Sequence, residues 1–180
     1  MLRRLLLIAS LFIVSGLPAV AHGPTPKKVE ETIAIAAAPE AVWAVLADFA
    51  SLAAWHPLVA ESEGAGGNAN GAQRTVTLGN GGQLVDGLDE YDAAERFYSY
   101  RLAKENPEVF PVSFYSSTIA VRPAGDGRSE VVWTGRFYRG DTGNYPPETL
   151  NDEAAIAAMT QFLRAGLEGL KQAVEGAPSE

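Results

Sequence analysis

Two short alternating segments, Arg74 to Leu78 and Leu84 to Leu88, are joined by Gly79-Asn80-Gly81-Gly82. Glycine and asparagine reach the backbone conformations that a tight turn demands, so the joint predicts an antiparallel hairpin. A turn centred on Asn80 sets Val76 opposite Leu84 and Arg74 opposite Asp86. Side chains alternate across a strand, so Arg74, Val76, Leu78, Leu84, Asp86 and Leu88 share one face, while Thr75, Thr77, Gln83 and Gly87 make the other mostly polar. A guanidinium and a carboxylate therefore point toward the apolar side. Burying such charges is unfavourable unless they pair or border a wet cavity, so this hairpin predicts a polar site inside an apolar container.

The same alternation carries into the neighbouring hairpins. A turn near Asp92 to Glu95 sets Leu88 opposite Tyr100 and Asp86 opposite Leu102, bringing Tyr98, Tyr100 and Leu102 to the inner face. A last hairpin closed around Gly125-Asp126-Gly127 turns Tyr115, Ile119, Val121, Val131, Trp133 and Phe137 inward and leaves Glu130, Thr134, Arg136 and Tyr138 outside. An aromatic wall carrying hydroxyls suits a small, partly apolar molecule held by a few polar groups. The same residue types also serve simply to fill a core.

Around these hairpins, Val29 to Ala37 reads as a first strand with Ile33 and Ile35 inward. Pro39 suits a helix start, and Val42, Val45, Leu46 and Phe49 recur at helical spacing, predicting a helix to about Phe49 and a short second one through Trp55, broken at His56-Pro57. Strands are expected near 58–63, 73–79, 83–91, 96–103, 113–122 and 129–139, with Gly64 to Gly71 as a flexible turn. From Leu150 to about Val174 a long helix gathers Ile156, Met159, Leu163, Leu167, Leu170 and Val174 on one face, introduced by a capping box from Thr149 to Asp152. It is expected to lie across the sheet. Gly166 and Gly169 weaken a helix interior, which points to tight packing there rather than to clearance for a ligand. The loops Lys104 to Pro111 and Asn144 to Pro147 are placed to gate a site or meet a partner.

The first residues read differently. Arg3 and Arg4 precede the apolar run Leu5 to Val14, Gly16 and Pro18 break it, and Ala19-Val20-Ala21 offers a small-x-small cleavage pattern, so residues 1–21 are expected to be a signal peptide. The division that follows is an extended segment at 22–28, one domain at 29–175 and a flexible tail at 176–180. The product is expected to be periplasmic or secreted, with no stable membrane insertion after cleavage. Losing Arg3 and Arg4 moves the formal charge from −8 to −10. Such acidity argues against nucleic acid and anionic membranes as partners. There are no cysteines, which excludes disulfides, thiolate metal sites and thiol catalysis. Nucleophile elbows, phosphate loops, dinucleotide fingerprints and zinc-protease helices are likewise missing, and no cofactor is expected. An N-terminal His22 with His56 offers nitrogen ligands for copper, but nothing in the sequence brings the two together, and helix-end capping is the favoured role for His56.

In order, Pro39-Glu40-Ala41-Val42-Trp43, Trp55-His56-Pro57, Gly71-Ala72-Gln73-Arg74, Gly82-Gln83-Leu84-Val85-Asp86-Gly87-Leu88, Tyr98-Ser99-Tyr100 and Val132-Trp133-Thr134 resemble the START-like (SRPBCC) superfamily of polyketide cyclases, aromatase-cyclases and plant Bet v-type carriers. The resemblance spans Val29 to Val174. It implies an α+β helix-grip fold, a curved antiparallel sheet wrapped around a long C-terminal helix. It also implies an internal cavity for a small hydrophobic or aromatic ligand, lined by Trp55, Leu84, Leu88, Tyr98, Tyr100, Tyr115, Ile119, Trp133, Met159 and Leu163. The start Ala21-His22-Gly23-Pro24-Thr25-Pro26 and the Trp55-His56-Pro57 turn are similar to MxaD-like exported proteins, implying an accessory role in periplasmic methanol oxidation beside a dehydrogenase or cytochrome. Lachrymatory-factor synthase, in the same superfamily, resembles this chain in placing an arginine and a glutamate where Arg74 and Asp86 stand, the aspartate here being one methylene shorter. That likeness implies an alternative, a cyclase, isomerase or dehydratase with Arg74 as polarising cation and Asp86 as acid or base. A structural ion pair is the other reading of the two charges.

Overall fold

A computed structural model describes residues 23–176. Seven antiparallel strands form one sheet in the order β1-β7-β6-β5-β4-β3-β2. They are β1 (Lys27–Ile35), β2 (Val59–Ala65), β3 (Gln73–Leu78), β4 (Gln83–Asp92), β5 (Phe97–Lys104), β6 (Val112–Pro123) and β7 (Ser129–Arg139). Helix α1 (Pro39–Leu46) and a 3₁₀ helix at Phe49–Ala54 connect β1 to β2, and the long α2 (Asp152–Glu175) closes the chain against β1, β7 and β6. This is the helix-grip architecture. Among the described residues no helix is long and apolar enough to cross a membrane. Residues 1–21 and His22 lie outside the described residues, as do positions 177–180 of the tail.

Hairpin alternation carries over into the sheet. Arg74 pairs with Asp86 and Val76 with Leu84 across β3 and β4, and Asp86 with Leu102 and Leu88 with Tyr100 across β4 and β5. The apolar residues on this face are buried together with those of β6 and β7, forming one core with α1 and α2. In the turn, Asn80 accepts from the Gly82 N–H through its side chain, and Gly81 takes a φ of 84° that a side chain would resist.

The helices depart from expectation at their ends. α1 stops at Leu46, and Asp48 starts the 3₁₀ helix by accepting from the Ala50 N–H, because a short acceptor just before Phe49 favours a fresh cap over continued helix. At α2, the cap is Asn151, whose Oδ1 accepts from the Ala154 N–H at 2.9 Å, and Thr149 sits in a separate 3₁₀ turn, so the box read from Thr149 does not form. With the helix started there, Ala155 takes the inner position of the first turn and Ile156 is exposed. Gly64 and Ala65, read as part of a flexible turn, extend β2.

Candidate functional site

Arg74 and Asp86 are both buried, at 1% and 2% exposure, on the concave face of the sheet. Register places them opposite each other, and the side chains close the gap: Arg74 Nε and Nη2 each lie 2.9 Å from Asp86 Oδ2. Nη1 donates to the Phe49 carbonyl at 2.9 Å. The rings of Phe49 and Tyr100 flank the guanidinium, with centroids 4.3 and 4.6 Å from its central carbon. The other carboxylate oxygen, Oδ1, accepts from the Tyr115 hydroxyl. Each buried charge is thus paired and hydrogen-bonded, the condition under which burial is tolerated.

Electrostatics follow from that enclosure. Burial disfavours the charged guanidinium of Arg74, but Asp86 beside it outweighs this and holds the group more firmly protonated than usual. Burial pushes the Asp86 carboxyl above its ordinary range, against the pull of Arg74 and the Tyr115 hydroxyl. Burial also raises Tyr98, Tyr100 and Tyr115, so all three keep their protons at neutral pH.

Next to this cluster lies a cavity of about 10 Å³, bordered by Val76, Leu84, Asp86, Tyr100, Phe110, Tyr115, Ser117, Met159, Phe162 and Leu163. That is room for one water-sized group. A larger groove of about 320 Å³ opens on the far side of Phe110 and Phe162, between Pro57–Leu58, the β3–β4 turn at Leu78–Asn80, the loop at Val109–Pro111 and Ala158 and Gln161 of α2. The two phenyl rings, 5.5 Å apart between centroids, border both spaces and separate them.

Of the residues expected to line a cavity, Leu84, Tyr100, Tyr115, Met159 and Leu163 border this inner space together with Asp86. Trp55, Leu88, Tyr98, Ile119 and Trp133 do not; they are buried in the core. Alternation identifies a face, whereas depth along the wall depends on where α2 and the 3₁₀ helix press against it. Arg74 lies behind Tyr100 and borders neither space. Phe110, Ser117 and Phe162 were not singled out beforehand. Ser117 shares its parity with Tyr115 and Ile119 and so was recoverable; Phe162, one residue from Leu163, sits half-buried at the margin of the helical face.

His56 caps no helix end. It is buried, its Nε2–H donates to the Phe162 carbonyl in the middle of α2 at 3.0 Å, and its Nδ1 accepts from the Leu58 N–H at 3.2 Å. The chain reverses at His56-Pro57 and packs beneath α2, so the ring meets a helix distant in sequence rather than the end of its own. Desolvation pushes its pKa down to about 4, so it is neutral at pH 7. With both nitrogens engaged, the ring supports Phe162, on which it also stacks at 4.1 Å. Among the described residues no group of three His, Cys, Asp or Glu side chains is arranged to hold a metal ion.

A family model described as polyketide cyclase / dehydrase and lipid transport matches residues 26–175. Among solved structures, the protein XoxI from Bacillus cereus is 29% identical with a TM-score of 0.69, over 82% of this chain and 95% of that one. The Zhui aromatase/cyclase from Streptomyces sp. R1128 is 21% identical with a TM-score of 0.68, over 84% and 94%. Norcoclaurine synthase from Thalictrum flavum, solved with dopamine and hydroxybenzaldehyde, is 16% identical with a TM-score of 0.65, over 96% and 100%. The last two likenesses concern the fold alone. No curated protein matches the chain in sequence.

Proposed function

This chain belongs to the polyketide cyclase / dehydrase and lipid transport family, and on that premise we propose that it binds a small, partly apolar molecule that enters through the groove and reaches the Asp86–Tyr115 cluster when Phe110 and Phe162 part. The observation that carries the reading is the placement of those two rings. They stand between an open, mainly apolar groove of about 320 Å³ and an enclosed space with polar groups in its wall. Ligand sites combine apolar lining with a few fixed polar groups in this way.

Binding is favoured over turnover because Arg74 on one oxygen of Asp86 and the Tyr115 hydroxyl on the other both favour the ionised carboxylate and so oppose its taking up a proton. A general base must take up the proton it abstracts, and these two contacts work against that. Arg74 is likewise spent on Asp86 and Phe49, so a cyclase or dehydratase using the pair would first have to dismantle it.

The cellular setting belongs to the same proposal. The Arg3-Arg4 start with its apolar run and small-residue cleavage pattern supports export, and the similarity to MxaD-like proteins supports an accessory role in periplasmic methanol oxidation. The formal charge, −8 for the full chain and −10 once Arg3 and Arg4 are lost with residues 1–21, favours a basic dehydrogenase or cytochrome surface as partner, with association that weakens as salt rises. Native mass spectrometry of the protein isolated from its own source tests the binding reading. A retained organic molecule of defined mass supports it. A protein that emerges empty and takes up no small apolar compound on incubation overturns it.

A further inference from the structure

We infer that the inner end of the site selects its ligand by a hydroxyl group on a neutral molecule and discriminates against carboxylates; this deepens, and rests on, the binding role proposed above. The enclosed space of about 10 Å³ fits one oxygen-centred group, and its polar wall is Asp86, Tyr100, Tyr115 and Ser117. Acceptors predominate there. Tyr115 has given its proton to Asp86 Oδ1, leaving the phenol oxygen to accept, and a carboxylate oxygen that holds one donor has a further lone pair. Tyr100 and Ser117 add two hydroxyls to the same wall, each able to donate or to accept. A ligand oxygen seated against Asp86 and Tyr115 must therefore bring a hydrogen. A hydroxyl brings one and can accept from Tyr100 in return, whereas a carbonyl brings none.

Charge is selected against in both signs. Three bonds to Asp86 and Phe49 occupy Arg74, and Phe49 and Tyr100 cover its faces, so an incoming carboxylate would meet the oxygens of Asp86 without reaching the guanidinium. An ammonium group would be desolvated beside a carboxylate that Arg74 already neutralises. The body behind the hydroxyl lies in the groove against Leu58, Leu78, Val109, Phe110 and Phe162, so it is apolar.

The test titrates the full chain with naphthol, methylnaphthalene and naphthoate of one substitution pattern, followed by calorimetry. Naphthol is expected to bind at least about tenfold tighter than either analogue, because a buried polar site penalises a partner that leaves it unpaired. Ser117→Ala and Tyr115→Phe, each checked for folding by circular dichroism, are expected to weaken naphthol more than methylnaphthalene. Naphthoate binding as well as naphthol, or all three binding equally, overturns the selectivity and leaves the groove intact as a binding site. Failure of all three to bind overturns both.

Discussion

Gly166 lies against the edge of His56: a Cβ at residue 166 would stand 2.6 Å from the imidazole Cδ2, and 2.5 Å from Cζ3 of Trp133. Three residues on, a Cβ at Gly169 would stand 2.1 Å from the Trp55 carbonyl oxygen. The Trp55-His56-Pro57 turn is therefore wedged under α2, where only hydrogen fits. Alanine at either site gains about 1 kcal/mol of helix propensity but incurs an overpacking cost of about 1–3 kcal/mol. Gly166→Ala is expected to lose about 1 kcal/mol net, and Gly169→Ala more, because a backbone carbonyl cannot rotate aside. Urea unfolding of the two variants checks the order.

His56 makes stability depend on mild acid. Its folded pKa of about 4 lies below the ordinary 6.5, so in that interval the unfolded chain binds a proton that the folded one refuses. The contribution is complete above about pH 6.5 and is lost as pH falls toward 4, amounting to about 3 kcal/mol at most. His56→Gln is expected to be less stable at pH 7 and to show a flatter decline from there to pH 4.5, as read by denaturant unfolding at stepped pH.

At the alkaline end the sign reverses. Tyr98, Tyr100 and Tyr115 hold their protons above the ordinary tyrosine range, so the folded state keeps protons that the unfolded state releases, and stability falls as pH rises past about 10. Tyrosinate absorbance is expected to report these three only as the protein unfolds, in step with the loss of circular dichroism.

Arg74 and Asp86 should behave as a unit. Arg74→Met leaves a buried carboxylate without its cation and is expected to cost about 3–5 kcal/mol. Adding Asp86→Leu removes the stranded charge, so the double variant is expected to be more stable than Arg74→Met alone. A double-mutant cycle by urea unfolding measures the coupling.

The buried pair was legible because a short turn fixes register, and register with a period of two decides which side chains meet; Arg74 and Asp86 needed nothing distant. The roles of Trp55, Leu88, Tyr98, Ile119 and Trp133 were only half legible. Each faces inward as expected, but whether a side chain meets space or another side chain depends on how α2 crosses the sheet, and that is set by Gly166 and Gly169 letting one turn approach closely. Phe110 was hidden for a different reason. It belongs to a connection without periodicity, whose depth is fixed by contacts such as the Asn80 side chain donating to the Val109 carbonyl at 3.4 Å. That the loop Lys104 to Pro111 borders the groove was thus legible as a location, but not which residue stands between the two spaces.

If Phe110 is the movable half of the partition, Phe110→Ala should admit ligand faster. Truncating this buried ring is expected to cost about 3 kcal/mol of stability and to raise the association rate of a neutral naphthalene dye, measured by stopped-flow fluorescence.

The claim that a small apolar molecule occupies the groove is tested most directly by equilibrium binding of the neutral dye prodan to the unmodified protein and to Ala158→Trp, whose indole would fill the space beside Phe162. Saturable binding at one site, weakened at least about tenfold in the folded Ala158→Trp variant, is the predicted result, since the dye would have to displace a packed ring. Non-saturable binding, or an affinity that the substitution leaves unaltered, would contradict it.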